Sequence, residues 1–391
     1  MKMTVKAFVL CFLAAVALDA RADDEVVRWY DAAQKVTWGY TLENGEATIS
    51  TPYFWDSNMR DNCTGDIVVP SRVGPDGPNG AKTYPVRDMA PGLFRNCTKV
   101  TSVALPDGIR RIAPNAFYFD RNSTITNVAI GAGCLDICEN AFLRCENLVS
   151  LNIPNSVTNI GANAIQLCKA LPRIDIPGSV KTIGDSAFAA CYDLADVTFG
   201  DGIEIIDTDA FMNCSSLLAV DLPASVRSIG DRAFYGCSQL ASATLREGLE
   251  AIGFCAFNQC SSLTSVSVPS SVTWVGERAF QFCQDTIFDK TTVSGVCLLS
   301  GWAVGVDNPF GAIDLVGVNG VADGLFKDCR NVTSVVLPPG IETLGGSMFS
   351  GCRSLESVSL PVALKSIESY AFQGCQKIQT LNIPSVDTVI H

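Results

Sequence analysis

The sequence predicts a β-rich α/β solenoid of about twelve turns, with a small β cap at its N-terminal end. Three observations lead to it. Cys145, Cys168, Cys191, Cys214, Cys237, Cys260 and Cys283 recur every 23 residues, and Cys329, Cys352 and Cys375 resume the period 46 residues later. Three residues before each stands an apolar side chain, usually the Phe of an Ala-Phe pair, such as Phe142, Phe188, Phe211, Phe234, Phe257, Phe280 and Phe372; Ile165, Phe326 and Phe349 fill the same place. Phe94 with Cys97, and Phe117 with Asp120 at the cysteine position, add two earlier rungs, and a proline recurs near the middle of most rungs.

In chain order, residues 1–22 read as a secretory signal peptide. Lys2 and Lys6 precede the apolar run Phe8 to Leu18, and Ala20-Arg21-Ala22 suits cleavage before Asp23. The run is about eleven residues, against about twenty for a membrane span. Residues 23–83 read as the cap module. Val36 to Leu42 and Ala47-Thr48-Ile49 flank Asn44-Gly45, a strong hairpin signal, and a solenoid needs such a module over the open end of its core. Trp29, Trp38, Tyr40, Tyr53 and Trp55 admit a second reading of this segment, as an aromatic carbohydrate-binding module.

Residues 84–391 form the solenoid. One rung reads L-x-x-V-x-I-P-x-S-V-x-x-I-G-x-x-A-F-x-x-C, as in Leu148 to Cys168. The first part alternates apolar and polar residues, which predicts a short strand with Val and Ile inward. Pro154, Pro177, Pro223 and Pro269 end that strand, because proline cannot donate to a ladder. V-x-x-I-G predicts a second extended segment, and A-F-x-x-C a tight helical or 3-10 turn that drops Phe and Cys into the core. A single rung cannot bury its apolar face, so the rungs must stack, about 4.8 Å apart. Residues 284–317 interrupt the period: Val296 to Leu299, then Ser300-Gly301, then Trp302 to Val306 predict an inserted hairpin projecting from one face.

This pattern resembles the BspA-like leucine-rich repeat family, over roughly Tyr84 to Pro384, about three quarters of the chain. The resemblance implies a right-handed leucine-rich-repeat superhelix in a secreted or cell-surface protein, often adhesin-like, that binds other proteins and carries no catalytic residues.

Composition sets the excluded classes. The one histidine is His391, which argues against a Ser/His/Asp triad, a Cys/His dyad or a histidine-built zinc site, and no other catalytic constellation stands out. The chain is therefore read as not an enzyme, and no cofactor or metal is expected. Its net charge is −12. An acidic surface argues against nucleic acid or an anionic membrane as partner. The ladder cysteines are expected to be buried free thiols acting as small hydrophobes, since parallel Cβ vectors on successive rungs suit disulfides poorly.

Candidate binding residues fall on the outward positions of the first strand. Asn152, Arg173, Asp175, Asp196 and Asp221 stand there, and stacking would bring the three aspartates within about 10 Å of one another, so a solvated polar face, a weak calcium site and a patch for a basic partner are all open readings. Trp302 is the candidate on the inserted hairpin. The predicted function is recognition of an extracellular protein or glycan, a host surface among the candidates. The alternative is a self-associating structural or envelope protein without a dedicated ligand.

Overall fold

Each rung contributes two short parallel strands joined by tight corners. The computed structural model describes residues 27–31, 34, 36–50, 63–74, 82–120, 123–289, 294–384 and 387–391. The leader read at 1–22, and Tyr53 and Trp55, lie outside them.

The first strand of each rung builds a front ladder. It runs through Gly65–Val68, Val100–Ala104, Asn127–Ala129 and Ser150–Asn152, continues through Arg173–Ile176 and Asp196–Phe199, then Ala219–Asp221, Ser242–Thr244 and Ser265–Val266. The second strand builds a rear ladder of eight, from Arg111–Ile112 to Trp274–Val275. The first rear pair is offset by 25 residues, Ile112 facing Ile137, and from there the register is 23: Ile160 faces Ile183, Ile183 faces Ile206, and Ile206 faces Ile229. These isoleucines are buried, and each fully buried one contributes roughly 1.5–3 kcal/mol.

Proline and serine of the repeat form the corner between the two strands. The Pro154, Pro177, Pro223 and Pro269 carbonyls accept the N–H of the valine three residues on. The serine before that valine reaches back one rung: Ser156, Ser179, Ser225 and Ser271 hydroxyls donate to the Cys134, Val157, Ile203 and Leu249 carbonyls. These bonds explain a serine that periodicity alone leaves unexplained.

The other corner corrects the expected helical turn, and with it the α/β class. Among the described residues the one helical element is the 3-10 segment Asp285–Ile287, inside the insertion, so the fold is a β-solenoid. The reason is visible between Asn140 and Cys145. Alternate N–H groups, of Asn140, Phe142 and Arg144, donate to Ala162, Ala164 and Gln166 on the next rung, while those of Ala141, Leu143 and Cys145 donate locally, three residues back. Asn140 and Arg144 take φ of 56° and 62°, and the equivalent pair recurs on nearly every rung. A left-handed residue cannot continue an α-helix, so the chain folds into linked turns that bond to the neighbouring rung instead.

Phenylalanines of this corner stack through the core. Phe94, Phe117 and Phe142 lie 5.1 and 5.0 Å apart, and Phe188, Phe211, Phe234, Phe257 and Phe280 follow at 5.1 to 5.4 Å, nearly parallel. At the N-terminal end Val27–Asp31, Val36–Glu43 and Glu46–Ser50 form an antiparallel meander. Asn44 and Gly45 turn it with φ of 51° and 80°, as the hairpin signal predicts. Glu46–Ser50 then pairs in parallel with Tyr84–Met89, and the Trp38 ring meets Phe94 edge-on, covering the first ring of the stack.

The insertion forms the expected hairpin, Val296–Leu299 with Trp302–Val306, through a turn at Ser300 and Gly301 (φ 51° and 76°). It does not simply project. Trp302 and Ala303 pair in parallel with Gly320 and Val321, which knits the hairpin into the stack. The front ladder restarts at Gly311–Asp314, paired with Val332–Val336.

Candidate binding surfaces

The front strands alternate exposed and buried residues, as in Arg173–Ile176 and Asp196–Phe199, which presents every second side chain to solvent. Asn152, Arg173, Asp175, Asp196 and Asp221 are all exposed. Register separates the aspartates. Asp175 lies opposite Thr198, whereas Asp196 lies opposite Arg173 in the adjacent column; Asp221 lies opposite Thr244.

Each carboxylate has local partners. Asp175 takes a hydrogen bond from Thr198 and an ion pair with Arg173 at 3.2 Å on its own strand, and the Thr198 bond first holds its pKa below the ordinary carboxylate value. Asp221 is gripped by both Arg246 nitrogens, at 2.6 and 3.1 Å, which lowers its pKa in the same way. Arg246 also donates to the Leu222 carbonyl. The sequence reading missed Arg246, yet a signal existed: it stands where neighbouring rungs carry Pro223 and Pro269. Among the described residues no three His, Cys, Asp or Glu side chains group to hold a metal ion, so the aspartates do not form a calcium cluster.

Trp302 is a correction. Only 6% of it is exposed, and its ring lies over Gly320, where a Cβ would overlap it. Glycine opposite a tryptophan leaves a slot that the ring fills, so this side chain belongs to the core. Trp38 and Tyr40 are likewise buried, which withdraws both from a carbohydrate-stacking role.

The sixteen described cysteines are free thiols, and those of the ladder are not mere hydrophobes. Cys168, Cys191, Cys214, Cys237 and Cys260 each donate Sγ–H to the carbonyl of the core residue, Phe or Ile, 26 positions earlier, at 3.2 to 3.3 Å. That carbonyl is left with a free lone pair by the corner geometry. No helix among the described residues is long and apolar enough to cross a membrane.

A search of curated proteins finds no match. Among solved structures, the chain is similar to a leucine-rich repeat protein from Bacteroides ovatus, at 23% identity over 93% of this chain and 94% of that one, with a TM-score of 0.55. A leucine rich cell surface protein from Faecalibacterium prausnitzii is 25% identical over 92% of this chain and 96% of its own, with a TM-score of 0.49. The first of these shows the same fold. The family model for the BspA type leucine rich repeat region matches six copies, over residues 85–195, 204–290 and 319–391. Those segments take in more than half of the chain and leave out 291–318, most of the insertion; with its 23-residue rungs and stacked phenylalanine corner, the chain belongs to the BspA-type leucine-rich repeat family.

Proposed function

We propose that the protein is an exported binding scaffold, adhesin-like and displayed at the cell surface or secreted, whose front face engages an extended protein or glycan. The observation that carries this reading is the outward column Asp175, Thr198, Asp221 and Thr244. Parallel pairing aligns Asp175 with Thr198 and Asp221 with Thr244, the 23-residue period carries the column from Thr198 to Asp221, and none of the four is spent on the core. A flat, rigid polar ladder suits a long ligand that contacts several rungs weakly, because tight protein interfaces rely instead on buried aromatic and arginine anchors. Family membership and the leader read at residues 1–22 support export.

The test is saturable binding of the purified chain, from Asp23 onward, to immobilised extracellular-matrix proteins and mucins. Asp175→Ala combined with Asp221→Ala should weaken a genuine hit by about tenfold, since exposed paired carboxylates contribute modestly one by one. Unchanged affinity in that double variant would move the ligand off the front face.

A further inference from the structure

The insertion does something the repeats do not: it divides the core, whereas the Ile165 rung interrupts only the ring stack. Stacking runs to Phe280 and resumes with Phe326 and Phe349, and the core divides into two clusters there. Between the two stacks opens a cleft of about 920 Å³. Its inner wall is apolar, with Phe280 and Val304 buried and Phe288 and Val306 partly so. Its rim is acidic.

Five carboxylates and two cations line the cleft. Glu277 engages both cations, Arg278 at 3.2 Å and Lys327 at 3.5 Å. Asp323 takes the Trp274 indole N–H at 2.9 Å, and Asp289 takes the Gly301 N–H at 3.1 Å. Asp285 and Asp307 remain: both are exposed, and Asp307 accepts a hydrogen bond from the Asn308 side-chain amide at 2.8 Å, but neither has an ion-pair partner among the described residues. They share a wall. The Cys297 thiol is pushed up first by burial, then by the nearby charges of Asp307 and Asp285.

Phe282 completes the arrangement. Its ring is 64% exposed at the cleft edge, on a backbone with φ of 62°. A left-handed non-glycine residue is strained by about 1–2 kcal/mol, and an exposed ring recovers little by burial. The backbone conformation belongs to the corner, which Leu167 and Gln259 share at φ of 61° and 62°; what is particular to Phe282 is a large exposed ring at the cleft.

We propose that this cleft receives a lysine or arginine side chain of a partner protein. Asp285 and Asp307 take the charge, the Phe282 face meets the cation, and Phe280 with Val304 packs the aliphatic stem. The net charge of −12 favours approach of such a segment. The proposal rests on the chain being a binding scaffold, but not on the front face.

The probe is a fluorescein-labelled, end-blocked peptide alternating Lys and Gly, titrated with the full chain in low salt and followed by anisotropy. Saturable binding is expected, with no binding of the Glu-Gly counterpart. Phe282→Ala should weaken it by about threefold, as an exposed cation–π contact predicts. Asp285→Asn with Asp307→Asn should weaken it by about tenfold, while Asp175→Ala with Asp221→Ala leaves it unchanged. All these positions are exposed, and an unchanged unfolding midpoint verifies that each variant is folded. The proposal fails if the cleft variants bind as the parent does, or if the front-face pair weakens the peptide equally. It also fails if free spermine displaces the peptide at concentrations well below the peptide's own Kd, since a polyamine would then be the ligand.

Discussion

Gln259 and Gly236 occupy the same corner position on adjacent rungs, with φ of 62° and 71°. Only glycine is unstrained there. Gln259 is exposed, so Gln259→Gly removes strain without uncovering core and is expected to stabilise by about 0.5–1 kcal/mol. Gly236→Ala goes the other way, because its Cβ would run into the Asn213 carboxamide; a loss of at least about 1 kcal/mol is expected in urea unfolding. Cys237 is a second case. Without a partner a serine there would bury an unsatisfied hydroxyl, but the thiol donates to the Phe211 carbonyl at 3.3 Å. Cys237→Ser should therefore cost only about 1 kcal/mol, and a loss above about 3 would show that the shorter hydroxyl misses the carbonyl.

At the scale of the stacked corner, neighbours on both sides set the energy. Phe234 is fully buried between Phe211 at 5.4 Å and Phe257 at 5.2 Å. Phe234→Ala is expected to cost about 3–5 kcal/mol, as lost transfer plus a cavity that two flanking rings cannot collapse. Among the described residues Phe372 has its ring partner in Phe349 alone and is only partly buried, so Phe372→Ala should cost distinctly less. Equal costs in chemical denaturation would mean that the stack is not what holds the rungs. Much of this element was legible beforehand: period, strand positions, the Asn44-Gly45 hairpin and the Phe-Cys core all follow from side-chain polarity. The corner was not. Asn115, Asn140 and Asn163 at the left-handed position were a usable hint against helix, since asparagine tolerates that conformation.

For the molecule as a whole, the thiol ladder links stability to alkaline pH. Burial pushes Cys134 and Cys329 up to about 11, and Cys237, Cys283 and Cys352 up to about 12, from 9.0. The fold thus retains protons that the unfolded chain releases above pH 9. This contribution is complete below that pH and declines as pH rises toward 12, by up to about 1.4 kcal/mol per unit for each fully buried thiol. Unfolding midpoints should be flat from pH 6 to 8 and fall steeply above 9. A flat profile to pH 11 would show that the ladder thiols are not buried as neutral groups.

By itself the sequence determined that this chain is a solenoid of 23-residue rungs, where that period is interrupted, and which side chains of the regular rungs face inward. Those properties follow from local polarity repeated many times, so one rung's ambiguity is removed by the next. Tertiary structure alone decided the rest. Whether Asp175 and Asp196 meet depends on which column faces which, and Thr198 and Arg173 take those places. Whether Trp302 is a binding residue depends on Gly320 opposite it, eighteen residues away. The cleft beside Phe282 depends on how an irregular segment rejoins a regular stack. None of these is periodic, and without a period only the packed chain specifies which residues become neighbours.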